Sequence, residues 1–522
     1  MKINKNLMRL ASLIVILCFL AACTGYNRVV LPKDQKLPIE EKVVILHRGD
    51  DTFYLVDVKI TEEQLEATVQ EVPVWMTPKK GQALRIYASA ATEIPEPLPA
   101  RTSIPFTAIE KIEVYDVSTG KTIFYSFGAG LLITVAALVL VAVIVAAVKS
   151  SCPFIYTFDG ERYEFAGEIF SGTIYPPLER HDYLPLPTLK AVDGEYRLKL
   201  ANEVREVQHT NLTELLVIDH PPGAEVLVDK YGVPHTLAEL RSPTDAVTLS
   251  GEDVRERVAV ADDAYYMGDV PEEAKADVDG VVLTFDRPRE ASDAKLVVQG
   301  RNTFWLDYVY GQFCELFGDH YHEWYEEQKE ARAEELLQWS LEQGIPLAVY
   351  VEEGGEWRFV DYYHIAGPMA AKRDVLAFEL PAAEAEELKV KLEFGPMFRE
   401  IDYVAIDFSA DAPVQLYSVP PASAIAQDGR DVSGLLFGDD DRYYVQPEVG
   451  EYAFITFLAP GATEGMARST FLHSKGHYEI LRDPQGKPDL TLLYSFKKAG
   501  RFIEFSQEIF LHYYETMVSR EG

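Results

Sequence analysis

Two clusters of aspartate are the residues in this sequence best suited to binding a cation. Each cluster precedes a pair of tyrosines and includes one aspartate further upstream: Asp253, Asp262 and Asp263 in the first, and Asp431, Asp439, Asp440 and Asp441 in the second. Carboxylate oxygens suit Ca²⁺, but the ligand spacing of an EF-hand loop is absent. Aspartate also favours turns, because its side chain accepts hydrogen bonds from nearby backbone N–H groups. We therefore interpret both clusters first as turns, with a Ca²⁺ site as the alternative and no other cofactor expected.

The histidines give weaker indications of a zinc site. His320 and His322 are two residues apart, whereas zinc ligands on one helical face are three or four residues apart. His473 and His477 have the wider spacing, but Gly476 interrupts the segment between them. We interpret both pairs as structural or surface histidines. The sequence has no nucleophile elbow, P-loop or dinucleotide-binding motif, so we predict no catalytic residue and favour a non-enzymatic role.

The composition limits the partners and the redox chemistry of the chain. The formal net charge is −34 and no basic stripe occurs, which argues against nucleic acid because phosphate contacts require clustered lysine and arginine. Of the four cysteines, Cys18 lies in the N-terminal signal-like segment and Cys23 directly follows it. Only Cys152 and Cys314 remain for the folded part, so a disulfide framework is excluded. A single bridge between them and two free thiols both fit the sequence.

The N-terminus has the features of an export signal. A basic start is followed by the uncharged stretch 10–22, which is too short to span a bilayer and is typical of a signal peptide. The small residues before Cys23 resemble the lipobox of bacterial lipoproteins. This resemblance implies a signal peptide over residues 1–22, an acyl lipid such as palmitate on Cys23, and a tether over residues 23–40.

A second membrane signal lies in residues 123–148, which carry no charge. As a helix with a rise of 1.5 Å per residue, this segment would be about 39 Å long, which is enough to span a bilayer with some tilt. It therefore predicts a transmembrane helix. A lipid on Cys23 together with this helix would place residues 24–120 and 150–522 on opposite sides of the membrane. The flanking charges are balanced, so the side that holds residues 150–522 stays open.

The rest of the sequence predicts a mainly β protein. Short alternating strands between glycine- and proline-rich turns indicate a small barrel or sandwich over residues 41–120. Further along, an ordered pattern of P-x-x-A, D-V and D-x-Y-Y occurs twice, starting at Pro243 and again at Pro421. We interpret this as a duplication into two β-sandwich domains, near residues 151–312 and 344–500.

The regions outside the duplicated domains are shorter. A segment rich in Glu, Lys, Arg and Ala predicts a helix from Tyr321 to Gln343, ended by Gly344, within a helical connector over residues 313–343. Residues 501–522 form a C-terminal segment with no assigned structure. In the repeated D-x-Y-Y motif, neighbouring tyrosines of a strand are expected to place one ring inward and one outward.

Two blocks of the sequence resemble a known kind of protein. Residues 152–187, beginning CPFIYTFDGERYEF, and residues 193–221 resemble blocks in a family of uncharacterised bacterial envelope lipoproteins. Residues 427–450 resemble β-rich tails attached to tetratricopeptide or FG-GAP repeat proteins of bacteria. The resemblance spans most of residues 121–500 and implies a location in the envelope, but it transfers no activity and no catalytic residue.

These observations favour a lipid-anchored protein of the bacterial cell envelope that binds or assembles through paired β-sandwich domains. Its expected partners are membrane lipid and envelope proteins or glycans, and not nucleic acid. One alternative is an envelope enzyme that acts on glycan or peptidoglycan. A calcium-stabilised adhesin is another alternative, which depends on the aspartate clusters.

Overall fold

The computed structural model describes part of the N-terminal region and nearly all of the C-terminal region. The described residues are 26–31, 43–48, 51–61, 64–71, 83–89, most of 92–117, and 153–521 apart from 270, 272 and 382–385. Cys23, the apolar segment 123–148 and Cys152 lie outside them, so what is expected of these residues stays a prediction. None of the described helices is long and apolar enough to cross a membrane. The chain divides into two compact units, residues 1–134 and 135–522.

The N-terminal unit is built from antiparallel and parallel strands. They are β1 Tyr26–Leu31, β2 Val43–Arg48, β3 Asp51–Ile60, β4 Gln64–Glu71, β5 Ala83–Ala88, β6 Ala100–Pro105 and β7 Ile109–Val117. These strands form one sheet in the order β1-β7-β5-β2-β3-β4-β6, in which β2 and β5 are parallel neighbours. Leu46, Leu65 and Ile86 are fully buried in its core. Such burial of one face provides most of the stability of a sheet of this kind.

The strands of the C-terminal unit follow in chain order. They are β8 Phe154–Phe158, β9 Tyr163–Glu168, β10 Arg180–Pro185, β11 Glu195–Ala201, β12 Glu206–His220, β13 Glu225–Val228, β14 Pro234–Leu237, β15 Asp245–Thr248, β16 Asp279–Asp286, β17 Asp293–Asn302, β18 Leu347–Glu353, β19 Glu356–Tyr363, β20 Lys372–Glu379, β21 Glu387–Phe394, β22 Arg399–Asp407, β23 Gln415–Val419, β24 Ser423–Ala426, β25 Tyr444–Gln446, β26 Tyr452–Leu458 and β27 Ala467–Ile480.

Most of these strands belong to two pairs of sheets, and the two sheets of each pair share one core. In the first sheet pair, the sheet β24-β26-β11-β8-β9 packs on the sheet β10-β27-β12-β23. In the second sheet pair, β15-β16-β21-β18-β19 packs on β20-β17-β22. Leu216 and Phe471 of the first pair contact a cluster with Val297 and Val375 of the second. The prediction of a mainly β protein is confirmed.

The two sheet pairs match strand by strand, but each contains parts of both sequence copies. Strands β8–β12 of the first copy combine with β23–β27 of the second, and β15–β17 of the first combine with β18–β22 of the second. The expectation that residues 151–312 and 344–500 each close into a sandwich is therefore corrected. Because the copies share one strand pattern, the strands in one half of a copy can pair with the other half of the same copy or with the equivalent half of the other copy. This is the situation that permits domain swapping. The strand pattern alone does not show whether the halves pair within one copy or between the two copies.

The helices of the C-terminal unit are α1 Arg255–Val258, α2 Phe304–Glu315, α3 Tyr321–Lys329, α4 Ala333–Glu342, α5 Ser433–Leu436, α6 Leu490–Ser495 and α7 Arg501–Glu521. The single helix predicted from Tyr321 to Gln343 is instead two, and the helical region begins earlier, with α2. Arg332 is extended between α3 and α4 (ψ 131°). This break lets both helices turn tryptophans, Trp324 and Trp339, toward one aromatic core. The segment between α3 and α4 contains neither proline nor glycine, so the sequence did not predict a break in the helix there.

Candidate ligand-binding cavity

A cavity of about 830 Å³ lies in the C-terminal unit, among helices α2, α3, α4 and α6 and the loops that precede β10 and β20. Its volume falls within the range of about 300–1,000 Å³ that is typical of sites for small organic molecules. The wall is mainly apolar and includes the aromatic residues Tyr175, Phe313, Phe317, Trp324, Trp339 and Phe496. The cavity is therefore suited to an apolar molecule.

Helix α2 supplies one wall because its apolar residues recur at helical spacing. Leu306, Tyr310 and Phe313, with Phe317 just beyond the helix end, are three or four residues apart and line the cavity together. Thr303 begins the helix, since its side chain accepts a hydrogen bond of 3.3 Å from the backbone N–H of Leu306. The cap fixes where this wall starts.

Phe313 is the centre of the aromatic wall. Its ring centroid lies 4.9 Å from that of Phe496, 5.8 Å from Trp324 and 6.0 Å from Trp339. Phe317 and Trp324 stack with a centroid distance of 4.0 Å. Rings in such mutual contact hold one another in place. The wall is therefore formed by the protein itself, before any ligand binds.

Two side chains of a different kind, Asp307 and Arg482, also line the cavity. Asp307 Oδ2 and Arg482 Nε are buried, and within the described residues neither atom has a hydrogen-bond partner. Burial raises the pKa of Asp307 to about 8, helped by Glu168 and opposed by Arg482. Asp307 is therefore mostly protonated at neutral pH and can donate a hydrogen bond. Gly311 leaves room for Arg482, because a β-carbon there would lie 2.8 Å from Nη1.

A pair of tyrosines and a cysteine lie next to this polar spot. The hydroxyl groups of Tyr175 and Tyr310 are hydrogen bonded to each other. Cys314 is free and fully buried, and burial raises the pKa of its thiol to about 11. The thiol is therefore neutral at physiological pH and is a poor nucleophile. Nothing in this arrangement activates a residue for covalent catalysis.

The outer part of the cavity is acidic. Glu323 and Glu327 of α3 and Glu335 of α4 line it and are exposed, and Lys497 is an exposed basic residue on the same rim. The surface thus changes from charged and hydrated at the rim to aromatic in the interior. The apolar body of a ligand can therefore move from water into the aromatic interior, while the rim carboxylates stay hydrated.

The seven aspartates singled out in the sequence lie in turns and are not part of the cavity. Four of them accept a hydrogen bond from the backbone N–H two residues later: Asp253, Asp262, Asp431 and Asp440. Asp263 and Asp441 have φ values of 64° and 58°, a conformation that aspartate tolerates in turns. Asp439 accepts hydrogen bonds from Asn211 and Lys475. Among the described residues, none of the seven belongs to a group of three converging metal ligands.

The histidine pairs are placed differently from one another. His320 lines the cavity, and His322 is exposed with Nε2 3.5 Å from a carboxylate oxygen of Asp483. His473 and His477 both lie on β27, where they point to the same face. Asp307 and Arg482 were not predicted from the sequence. The available signal for Asp307 was an acidic residue inside the apolar run FWLDYVYGQF, but nothing paired it with an arginine so distant in the chain.

Comparison with known proteins adds no functional information. Neither a family model nor a curated protein sequence matches this chain. Among solved structures, an uncharacterised protein from Listeria monocytogenes EGD-e is similar at 10% sequence identity and a TM-score of 0.15. The match covers 68% of this chain and 30% of that protein, and a TM-score this low supports no argument about fold or function.

Proposed function

We propose that this chain is a lipid-anchored protein of the bacterial cell envelope that binds an amphiphilic molecule in its cavity and catalyses no reaction. The observation that carries the proposal is the aromatic cavity of about 830 Å³ with a buried carboxyl group inside it. The proposal includes a lipid on Cys23, a transmembrane helix over residues 123–148 and sandwich architecture for both sheet pairs. Envelope proteins and glycans are the macromolecules that the chain would meet in that location.

The cavity chemistry favours a single-chain amphiphile of the fatty-acid class. The aromatic wall would contact the hydrocarbon chain, whose transfer from water is favourable by roughly 25 cal/mol per Å² buried. A carboxylate head group would accept hydrogen bonds from protonated Asp307 and from the guanidinium of Arg482. Both of these side chains have a buried atom without a partner, so a head group that supplies one removes an unfavourable arrangement. Charge pairing with Arg482 strengthens such hydrogen bonds.

Titration of the full chain with a fluorescent fatty acid tests this ligand class. We expect saturable binding of one molecule per chain and quenching of emission from Trp324 and Trp339. Leu336→Trp fills part of the cavity and should weaken binding at least tenfold. Leu337→Trp is the matched control, because Leu337 is the next residue of α4 and does not line the cavity. Binding that is absent from the wild type, or equal in both variants, would refute the proposal.

The pH dependence of binding tests the role of Asp307. Above its pKa of about 8, Asp307 becomes an anion next to an anionic head group, so affinity should fall as the pH rises from 7 to 9. The carboxyl group of a fatty acid is already ionised throughout this interval and does not contribute to the change. Asp307→Asn keeps a hydrogen-bond donor and should make affinity constant over the same interval. Affinity of the wild type that does not change between pH 7 and 9 would contradict this assignment.

The envelope location is tested independently of the cavity. Cells that express the wild-type chain should incorporate labelled palmitate into it and retain it in the membrane fraction. Cys23→Ala should remove the label and should prevent processing before residue 23. Labelling that persists in Cys23→Ala would show that the lipobox interpretation is wrong. A protease-accessibility test at the C-terminus then shows which side holds residues 150–522.

A further inference from the structure

Two contacting pairs of histidines, His181 with His473 and His209 with His477, lie on one face of the sheet that contains β10, β27 and β12. Along β27, Leu472 and Tyr478 point into the core of the first sheet pair, so His473 and His477 point to the opposite face. His209 of β12 lies directly across from His477. His181 of β10 contacts His473, with a distance of 2.8 Å between their ring nitrogens. Strand alternation and register therefore bring together histidines that are far apart in the sequence.

Three ligand atoms converge at one place on this face. The potential donor atoms of His209, His477 and Glu479 lie within 4.8 Å of one another. His209 Nε2 is 3.3 Å from Glu479 Oε1, and His477 Nδ1 is 3.9 Å from an oxygen of Glu179. Within the part of the chain that the structure describes, the two ring nitrogens are buried and have no hydrogen-bond partner. Each of the two adjacent rings therefore has a buried nitrogen that a bound ion would satisfy.

The spacing fits a metal ion after a small rearrangement. Around tetrahedral Zn²⁺, with ligands at about 2.0–2.2 Å, neighbouring ligand atoms are roughly 3.3–3.5 Å apart. The rings of His209 and His477 stack at 4.5 Å with an angle of 7° between their planes. One ring must therefore turn about its Cβ–Cγ bond before both nitrogens face the same ion. Turning the ring of His477 breaks no hydrogen bond at its buried Nδ1, which has no partner among the described residues.

Surrounding groups hold the two carboxylates in place. The hydroxyl of Tyr443 donates a hydrogen bond of 2.7 Å to Glu179, on the oxygen that faces His477. Lys329 Nζ lies 3.4 Å from the other oxygen of Glu479, Oε2, so Oε1 is left facing His209. Groups that orient ligands in this way are typical around protein-bound metals. The positive charge of Lys329 balances one of the two carboxylates, and the remaining negative charge favours a cation.

We propose that His209, His477 and Glu479 bind one Zn²⁺, with Glu179 as the fourth ligand. Two imidazole nitrogens with carboxylate oxygens are a ligand set typical of Zn²⁺, whereas Ca²⁺ and Mg²⁺ prefer oxygen ligands alone. The site is independent of the aspartate clusters, apart from the loop that carries Tyr443. It is also independent of the cavity, because none of its ligands lines the cavity.

The test uses the full chain without a histidine tag, stripped of metal and then titrated with Zn²⁺ and, separately, with Co²⁺. We expect one Zn²⁺ per chain, a rise in melting temperature on binding, and visible absorption of Co²⁺ typical of tetrahedral coordination. His477→Ala should lower the affinity at least a hundredfold. Glu479→Gln keeps the size of the side chain and should lower it at least tenfold, which covers the case in which His477→Ala does not fold.

His473→Ala is the matched control, because it removes a histidine from the same strand and face. His473 has partners of its own, with Nδ1 2.6 Å from Glu214 Oε1 and Nε2 2.8 Å from His181 Nδ1. The His473→Ala variant should therefore bind Zn²⁺ as tightly as the wild type. The proposal is overturned if the wild type binds less than stoichiometric Zn²⁺, or if Glu479→Gln binds as tightly as the wild type. It is equally overturned if His473→Ala loses as much affinity as His477→Ala, since the metal would then lie at the other pair.

Discussion

The first and second sheet pairs have equivalent strands in equivalent order, but equivalent tyrosines cover different chemistry in each. In the first pair, Tyr443 lies edge-on to His209 and His477, with centroid distances of 6.0 and 5.2 Å. In the second pair, Tyr265 lies over the guanidinium of Arg301 at 4.6 Å. Arg301 forms an ion pair with Glu400. One copy of the motif thus covers a candidate metal site, and the other covers an ion pair.

The loop that carries each tyrosine is held in a similar way in both pairs. In the second pair, Asp402 Oδ1 accepts a hydrogen bond of 2.8 Å from the backbone N–H of Asp263. In the first pair, Asn211 Oδ1 accepts one of 3.3 Å from Asp440. Asp402 and Asn211 therefore hold the backbone of the loop, while other strand residues beneath the tyrosine decide what the ring covers. The two sheet pairs therefore share the arrangement of this loop and differ in the residues that it covers.

The largest expected effect tests whether the two pairs depend on each other. A chain ending at residue 343 lacks β18–β27 and leaves both sheet pairs without essential strands. We expect it to lack a cooperative unfolding transition and amide protection in hydrogen exchange, because neither core can close. Residues 344–522 alone should behave in the same way. Cooperative folding of either fragment would contradict the exchange of halves between copies.

An ion pair at equivalent positions allows a comparison of stability between the pairs. Arg468 binds Asp219 through two contacts, of 2.6 and 2.9 Å, whereas the equivalent Lys295 lies 3.4 Å from Asp407. Arg468→Met would leave buried Asp219 with few donors and should lower the free energy of unfolding by about 3–5 kcal/mol. Lys295→Met should cost less, because backbone and hydroxyl donors still satisfy Asp407. Urea denaturation measures both, and an equal or larger loss in Lys295→Met would contradict this ranking.

Acid unfolding provides a second measurement on the same pair. Hydrogen bonding from Arg468 lowers the pKa of Asp219 to about 2, below its usual value of 3.8. A depressed pKa stabilises the folded state above the unfolded value, so this contribution is complete above about pH 4 and is lost as the pH falls toward 2. Arg468→Met should lose stability less steeply than the wild type between pH 4 and 2. Parallel stability curves over this interval would show that Arg468 does not set the ionisation of Asp219.

The sequence predicted the elements of the C-terminal unit better than their partners. Alternation within the D-x-Y-Y motif correctly indicated one inward ring, since Tyr266 and Tyr444 are 1% and 3% exposed. The internal similarity also identified equivalent strands. It could not show which equivalent edge each half pairs with, because the edges are alike in both copies. His209 was missed for a related reason, since only the strand register places it opposite His477.

A smaller effect is expected when the equivalent tyrosines lose their hydroxyl groups. Tyr443→Phe removes the hydrogen bond to Glu179 and should weaken Zn²⁺ binding about tenfold, in the range seen when groups that orient metal ligands are removed. Tyr265→Phe is the matched control, because it changes the equivalent residue in the pair that lacks the histidines, and it should leave the affinity unchanged. Equal affinities in the two variants would mean that Tyr443 does not orient a ligand.

The smallest effect concerns the aspartates that occupy the same left-handed conformation in both loops. Asp263→Gly and Asp441→Gly should each change the free energy of unfolding by no more than about 1 kcal/mol, because glycine adopts positive φ without steric cost but also gains freedom in the unfolded chain. If these residues serve only the turn, Ca²⁺ and EDTA should leave the melting temperature of the wild type and of both variants unchanged. A rise with Ca²⁺ that Asp441→Gly abolishes and Asp263→Gly retains would instead show that the two copies diverged in the loop as well, and that the alternative of a calcium site holds in the second cluster.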